Sequence, residues 1–233
     1  MKANYGIDAP TVVRNLVFIG VFLLVLGIFV PAPDPIPAIC DWVGATWLVT
    51  AGAMVLGSRF FKLRIQQQVV QSLQLTGTEK VMDMGCGRGL MLIGMAKHLP
   101  HGRAIGIDLW QVKDQSSNDP EVTRANARME KVQDSVEVMT GDMRKLPFDS
   151  EYFDVVTSSW AIHNIPDEAG RAAAVREAVR VLKPGGRLVI VDIFHSKEYA
   201  RTLSDVKMAN VKVSGPNFLF VVPTRTVSAS KPA

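Results

Sequence analysis

The sequence has few of the residues that build disulfide frameworks and metal centres. Two cysteines, Cys40 and Cys86, occur among 233 residues; they lie far apart and form no C-x-x-C pair. Neither has a histidine at a spacing typical of zinc ligands, which excludes a disulfide framework and a zinc site. Internal repeats and low-complexity tracts are absent as well. The length leaves room for one α/β domain and a module of roughly fifty residues.

The excess of positive charge is also small. The chain has 26 Lys and Arg against 22 Asp and Glu, a net charge of +4 and a pI near 9.1. A basic protein can bind nucleic acid. Here, however, several positive residues flank apolar segments, where anionic lipid accounts for them equally well.

Apolar residues, in contrast, are abundant and unevenly spread. They make up 48% of the chain, its mean hydropathy is +0.16, and residues 12–56 hold most of the excess. Leu16–Val30 has no polar side chain, and Thr11–Val30 is close to the ~20 residues that span a bilayer core. Four prolines in Pro31–Pro37 end the first helix, and a second apolar run, Ala38–Leu56, follows.

These runs predict an N-terminal membrane hairpin, residues 1–58, with helices at about 12–30 and 38–56. Small residues in the second run suit close helix contact and are compatible with a homo-oligomer formed through the membrane helices. A signal peptide lacks a good cleavage site here. A buried helical pair in a soluble core, and a hairpin that dips into the bilayer without crossing, are the alternatives.

The positive residues around the hairpin predict its orientation. They lie before or at the start of the first helix and after the second, whereas the turn carries Asp34. Because positive residues favour the cytoplasmic side, we expect both ends of the hairpin, and the rest of the chain, on the cytoplasmic side of the cytoplasmic membrane. The flanking positive residues are Lys2, Arg14, Arg59, Lys62 and Arg64.

From Gln66 onward short β-branched runs alternate with helical stretches, which is typical of a parallel sheet with crossover helices. A connecting helix is predicted at 59–75 and an α/β domain at 76–233. The predicted strands are Lys80–Met84, Arg103–Asp108, Val136–Thr140, Phe153–Ser158 and Arg187–Asp192. The predicted helices are Leu90–Leu99, Pro120–Lys131 and Ala169–Leu182. Two strand-like runs about Gly215–Pro216 predict a closing antiparallel hairpin.

A glycine-rich loop indicates the class of cofactor. Gly85, Gly87 and Gly89 lie between a strand and a helix, where glycines let the backbone approach a ligand. A dinucleotide fingerprint would need glycine at position 90, which is leucine. Asp83, in the preceding strand, would repel a diphosphate but suits a positive ammonium group. An ordinary tight turn is the alternative.

Two more acidic residues follow predicted strands, and they indicate the rest of the ligand. Asp108 is placed to bind both hydroxyls of a ribose. Asp142 could accept a hydrogen bond from the amine of adenine, with Met143 lying on the ring. A positive amino acid, a ribose and an adenine together describe S-adenosylmethionine.

Five ordered motifs resemble the class I S-adenosylmethionine-dependent methyltransferases: "EKVMDMGCGRG", "AIGIDLW", "TGDMRKLPF", "FDVVTSSWAIHNI" and "AVRVLKPGGRLVIVDI". The residues of these motifs are similar to those of the small-molecule branch, which includes the ubiquinone and menaquinone methyltransferases. The resemblance implies a Rossmann-like α/β fold with a seven-stranded sheet of order 3-2-1-4-5-7-6 and strand 7 antiparallel. It also implies cofactor contacts from Asp83, Gly85, Cys86, Gly87, Gly89, Asp108, Leu109, Asp142, Met143 and Ser159.

The segment "SSWAIHNIPD" after the fourth strand occupies the expected place of the methyl acceptor. It lacks the prolines of DNA amino-methyltransferases, and no Pro-Cys nucleophile of a cytosine C5 enzyme is present, so we expect no nucleic acid. Asp167 alone is not an acidic cluster, so we expect no metal. The acceptor is then a small molecule.

His163 is the candidate general base, because an unperturbed pKa of about 6.5 suits proton removal near neutrality. A packed loop histidine is the alternative. Trp160 is the candidate wall of the acceptor pocket, or else merely covers the sheet. A lid is expected either from Trp110–Asn118 or from the opening Asn4–Pro10, where Tyr5 and Asp8 could line the site.

The sequence therefore predicts a membrane-anchored methyltransferase acting on a small, lipophilic acceptor. Two alternatives stay open. One is a methyltransferase for a water-soluble molecule that uses the hairpin only for location. The other is a cofactor-binding membrane assembly subunit without turnover.

Overall fold

A computed structural model of the chain describes residues 3–111, 118–218 and 222–233. Its first part is a hairpin of two helices, α1 (Pro10–Phe29) and α2 (Ile36–Leu56). Both are long and apolar enough to cross a membrane. Gly20 and Gly44 face each other where the helices touch, and a Cβ on Gly44 would lie 2.7 Å from the Gly20 carbonyl oxygen. The outer faces expose large apolar side chains, as expected for helices that contact lipid.

The second apolar helix continues directly into the α/β domain. A π-helical turn, Gly57–Phe61, leads from α2 into α3 (Lys62–Ser72) without a break. α3 has one apolar face, which is buried and packs against α4. A Cβ on Gly94 of α4 would overlap the Gln66 side chain of α3, so the glycine allows the close approach of the two helices.

The sheet has seven strands in the order β3-β2-β1-β4-β5-β7-β6. The first five strands along the chain pair in parallel, whereas β7 pairs antiparallel with both β5 and β6. The predicted fold class is therefore confirmed. The strands are β1 (Lys80–Met84), β2 (Arg103–Asp108), β3 (Val136–Thr140), β4 (Phe153–Ser159), β5 (Leu182–Asp192), β6 (Ala209–Val213) and β7 (Arg225–Ser230).

Helices cover both faces of the sheet and close two apolar cores. They are α4 (Leu90–Ala96), α5 (Pro120–Met129), α6 (Glu168–Val181) and α7 (Ser196–Asp205). Asp119 caps α5 by accepting a hydrogen bond from Glu121 N–H, and Pro120 occupies its first turn. The sequence did not predict α7, which is polar except for its buried anchors Tyr199 and Leu203.

Candidate functional site

A cleft of about 240 Å³ opens at the carboxyl ends of β1, β2 and β4. The strand order reverses between β1 and β4, and such a switch point is where open parallel sheets bind ligands. The predicted cofactor residues that line the cleft are Gly85, Cys86, Gly87, Asp108, Leu109, Asp142, Met143 and Ser159. Trp160 and two residues from outside the α/β domain, Asp8 and Lys62, also line it.

The glycine loop forms one wall of the cleft. Gly85, Gly87 and Gly89 all have positive φ angles, of 72°, 48° and 86°. Gly85 N–H donates to the Ile107 carbonyl oxygen at 2.8 Å, which holds the loop against the end of β2. A Cβ on Gly85 would lie 2.2 Å from the Ala161 Cβ. The loop therefore packs too tightly for any side chain at this position.

Asp108 is fixed at the edge of the cleft. One carboxylate oxygen accepts from Gly87 N–H at 2.8 Å, and the other accepts from Trp110 N–H at 2.7 Å. The Asn118 side-chain amide also donates to it, at 3.3 Å. These bonds fix the carboxylate beside the glycine loop, where its remaining lone pairs can accept from a diol.

Asp142 lies in the loop after β3, beside Met143. Arg144 donates to the Asp142 carboxylate from Nε at 2.9 Å and from a terminal nitrogen at 2.6 Å. These side-chain hydrogen bonds lower the pKa of Asp142. Asp142 is thus held as an anion at the mouth of the cleft, with the Met143 side chain reaching toward Gly85.

Asp83 does not line the cleft. It is 1% exposed, beneath the glycine loop, and its carboxylate accepts from Leu92 N–H at 3.1 Å and from the Thr157 hydroxyl at 2.9 Å. Burial raises the pKa of Asp83 to about 7, with a smaller contribution from the negative charge of Asp108. As placed, Asp83 supports the loop from below, and its expected contact with an ammonium group stays a prediction. Gly89 is also outside the cleft wall.

His163 belongs to a hydrogen-bonded group at the end of β5. Its ring Nδ1 lies 2.5 Å from one carboxylate oxygen of Asp192, and its backbone N–H donates to the other at 3.1 Å. The Tyr199 hydroxyl donates to that second oxygen at 3.0 Å. The His163 ring is mostly buried beside the cleft rather than in its wall. Sequence reasoning missed Asp192, although it has the same signal as Asp83 and Asp108, an acid at the carboxyl end of a parallel strand.

The expected lid residues divide between two places. Asp8 lies in the cleft wall, whereas Tyr5 lies outside it. Burial, and then the negative charge of Glu130, raises the pKa of Tyr5. Of the other predicted lid, Trp110–Asn118, residues 112–117 lie outside the described part of the chain.

The cleft fits a nucleoside joined to an amino acid. Ser159 Oγ is buried in its wall with no hydrogen-bond partner among the residues that the structure describes. A buried hydroxyl of this kind is normally satisfied, so it favours a polar ligand. The wall also offers exposed backbone at the glycine loop, two fixed carboxylates and the apolar Met143 side chain.

Comparison with known proteins agrees with this geometry. Residues 82–190 match the family described as a methyltransferase domain. The chain contains a class I S-adenosylmethionine-dependent methyltransferase domain. The family resemblance inferred from the motifs is therefore confirmed, together with the cofactor that the class uses.

Two curated relatives illustrate the similarity of this methyltransferase domain. Demethylmenaquinone methyltransferase of Lactococcus lactis is 34% identical over 122 residues, which is 52% of this chain and 44% of the relative. Methyltransferase GfsG of Streptomyces halstedii is 34% identical over 149 residues, 64% of this chain and 49% of the relative. The chain thus spans about half the length of the curated relatives it matches.

A solved structure shows the same fold. Geranyl diphosphate C-methyltransferase from Streptomyces coelicolor, crystallised with geranyl diphosphate and S-adenosyl-L-homocysteine, superposes with a TM-score of 0.57 at 16% identity. The match covers 72% of this chain and 78% of that one.

Proposed function

We propose that this protein transfers a methyl group from S-adenosylmethionine to a small, lipophilic acceptor at the membrane surface. The observation that carries the proposal is the position of Lys62. This residue lines the cleft and follows the end of α2 by only the π-helical turn Gly57–Phe61. The cleft therefore lies beside the end of the apolar hairpin.

The nature of the relatives supports a lipophilic acceptor. Demethylmenaquinone methyltransferase, by its name, acts on a quinone precursor, and the Streptomyces coelicolor enzyme holds geranyl diphosphate. Both substrates combine a polar head with an apolar portion. An enzyme for such a molecule gains from being placed at a bilayer, because the apolar part of its substrate concentrates there.

The residues of the cleft have separate roles in this reaction. Asp108 binds the ribose hydroxyls, and Asp142 and Met143 hold the adenine. S-adenosylmethionine, when bound, supplies an electrophilic methyl group on a sulfonium. The protein aligns the acceptor in line with that group, and alignment can supply several kcal/mol of the barrier.

For an acceptor that extends past the cleft wall to the His163 ring, His163 accepts the acceptor's proton as the new bond to the methyl group forms. Asp192 contacts Nδ1 of the ring, which leaves Nε2 to act as the base. Asp192 also stabilises the imidazolium that results. Trp160, in the cleft wall beside this group, covers the acceptor.

Methyl transfer by the full-length protein in lipid nanodiscs tests the proposal. With methyl-labelled cofactor, we expect label to enter a demethylated quinol and a total lipid extract, but not water-soluble catechols. Asp108→Ala should lower cofactor affinity by at least about tenfold, since it removes two charge-assisted hydrogen bonds. Asp205→Ala, an exposed acid at the end of α7, is the matched control and should bind normally.

Other outcomes would reject parts of this proposal. Transfer only to water-soluble molecules would reject the lipophilic acceptor, and the hairpin would then serve only to localise the enzyme. Tight cofactor binding without any transfer would indicate an assembly subunit. His163→Ala with full turnover would remove the general base while leaving the methyl transfer itself intact.

A further inference from the structure

A buried lysine connects the two ends of the hairpin. The Lys62 side chain is 3% exposed, and its ammonium donates to the Tyr5 carbonyl at 2.8 Å and the Gly6 carbonyl at 3.0 Å. The same nitrogen lies 3.3 Å from both carboxylate oxygens of Asp8. A buried charge is costly unless it is paired and hydrogen-bonded. Lys62 therefore holds the segment before α1 in one position.

Ser58, in the π-helical turn, strengthens this connection. Its hydroxyl donates to the Asp8 carboxylate at 3.0 Å and accepts from Asp8 N–H at 3.1 Å. π-Helical turns inside α-helices often occur at functional sites. Here the turn presents Ser58, and the start of α3 presents Lys62, to the Asp8 carboxylate.

The segment that Lys62 holds is also linked to the glycine loop through Asn126 of α5. Asn126 of α5 accepts from Asn4 N–H at 3.0 Å, and its amide donates to the carbonyl oxygens of Asn4 at 3.1 Å and Arg88 at 2.9 Å. Asn126 is itself buried. The segment from Asn4 to Asp8 is thus fixed at one end to the glycine loop and at the other to the base of the hairpin.

Asp8, Lys62 and Arg88 meet in the wall of the cleft. The Asp8 carboxylate complements the ammonium of an α-amino acid, and the Arg88 guanidinium complements its carboxylate. Asp83, the acid that the motif assigns to the ammonium, is 1% exposed beneath the loop and does not line the cleft, whereas Asp8 does. Two of the three residues at this charged corner, Asp8 and Lys62, therefore lie outside the methyltransferase motifs.

We propose that Asp8 and Lys62, on the two chain segments that flank the hairpin, form with Arg88 the subsite for the amino-acid end of the cofactor. Asp8 binds the ammonium and Arg88 binds the carboxylate. Lys62, whose three N–H donors already meet Tyr5, Gly6 and Asp8, holds Asp8 in place. This inference rests on the proposed function. It makes the ends of the hairpin part of the cofactor site, so that the hairpin is more than an anchor.

Binding of two ligands to the full-length protein in nanodiscs tests the subsite. S-adenosylhomocysteine carries the amino-acid end, and 5′-methylthioadenosine lacks it. Asp8→Asn, which keeps the shape of the side chain, should weaken S-adenosylhomocysteine about tenfold, as expected for the loss of one charge-assisted contact. Its affinity for methylthioadenosine should stay within about twofold of wild type. Ser58→Ala should give a smaller loss in the same direction, because it only loosens Asp8.

Comparing the two ligands keeps the result independent of folding. A variant that merely destabilises the protein loses affinity for both ligands equally, and that result would overturn the inference, as would unchanged binding of S-adenosylhomocysteine. Asp34→Asn, in the turn at the other end of the hairpin, is the matched control. If wild type binds neither ligand, the proposed function fails rather than the subsite alone.

Discussion

Three acids at strand ends show how far single residues can be predicted. Asp83, Asp108 and Asp192 each end or nearly end a parallel strand, and the sequence signal is the same for all three. Their surroundings differ: Asp108 faces the cleft, Asp83 is buried under the glycine loop, and Asp192 contacts His163. A motif gives the position along a strand, whereas burial and partners depend on residues distant in sequence.

The burial of Asp83 predicts a pH dependence of stability. Its pKa is about 7 in the folded protein, against a usual value near 3.8. Between these two values the folded state binds more protons than the unfolded state, so the free energy of unfolding falls as pH rises from about 4 to 7. The whole effect is on the order of 4 kcal/mol.

Asp83→Asn should remove this dependence. Without ligand, the melting temperature of wild type should fall more steeply between pH 5 and pH 8 than that of Asp83→Asn, measured in the same nanodiscs. Parallel curves for the two proteins would show that Asp83 is ionised in the folded state across this range.

The helices and strands were predicted unevenly. The bounds of β1, β2 and β3 agree with the prediction, because short apolar and β-branched runs between turn signals define strands well. β5 begins at Leu182, earlier than predicted, since "KPGG" continues the strand through an irregular register beside β4. α7 was missed because only two of its side chains, Tyr199 and Leu203, are large apolar anchors.

The glycine loop gives a prediction at the scale of an element. Gly85→Ala places a Cβ 2.2 Å from the Ala161 Cβ, at a φ of 72°. The loop must move, and we expect cofactor affinity to fall by at least about tenfold and stability by about 1–3 kcal/mol. Calorimetric titration with S-adenosylhomocysteine and chemical unfolding measure the two effects.

Gly185 supplies a matched control for this substitution. It has nearly the same φ, 73°, but a Cβ there meets nothing within 4 Å. Gly185→Ala therefore carries the backbone strain alone and should leave cofactor affinity unchanged. Equal losses in the two variants would assign the effect of Gly85→Ala to strain rather than to contact with Ala161.

At the scale of the whole molecule, the arrangement across the bilayer can be measured. In a Cys40→Ser background we expect an impermeant maleimide to label Asp34→Cys in intact spheroplasts, because the hairpin turn is proposed to lie outside. Ser204→Cys, exposed on α7, should react only after lysis. Cys86 is buried and should not interfere.

Labelling of neither cysteine before lysis would instead show a hairpin that enters the bilayer without crossing it. The sequence predicted two apolar helices from composition alone, and the structure contains them. Composition cannot predict how they join the enzyme, because the contacts of Lys62, Asp8 and Asn126 link residues far apart in the chain. The homo-oligomer through these helices likewise stays a prediction.

The unbroken helix from α2 into α3 also sets the distance between Lys62 and the apolar hairpin. At ~1.5 Å of rise per residue, Lys62 lies roughly 9 Å beyond the apolar end of α2 at Leu56. That distance slightly exceeds the depth of one headgroup layer, roughly 5–7.5 Å. If α2 ends at the hydrocarbon boundary, the reacting head of a long-tailed acceptor needs to rise only through the headgroups while its tail stays in the bilayer. Turnover would then depend on the thickness and headgroups of the membrane as well as on the cleft.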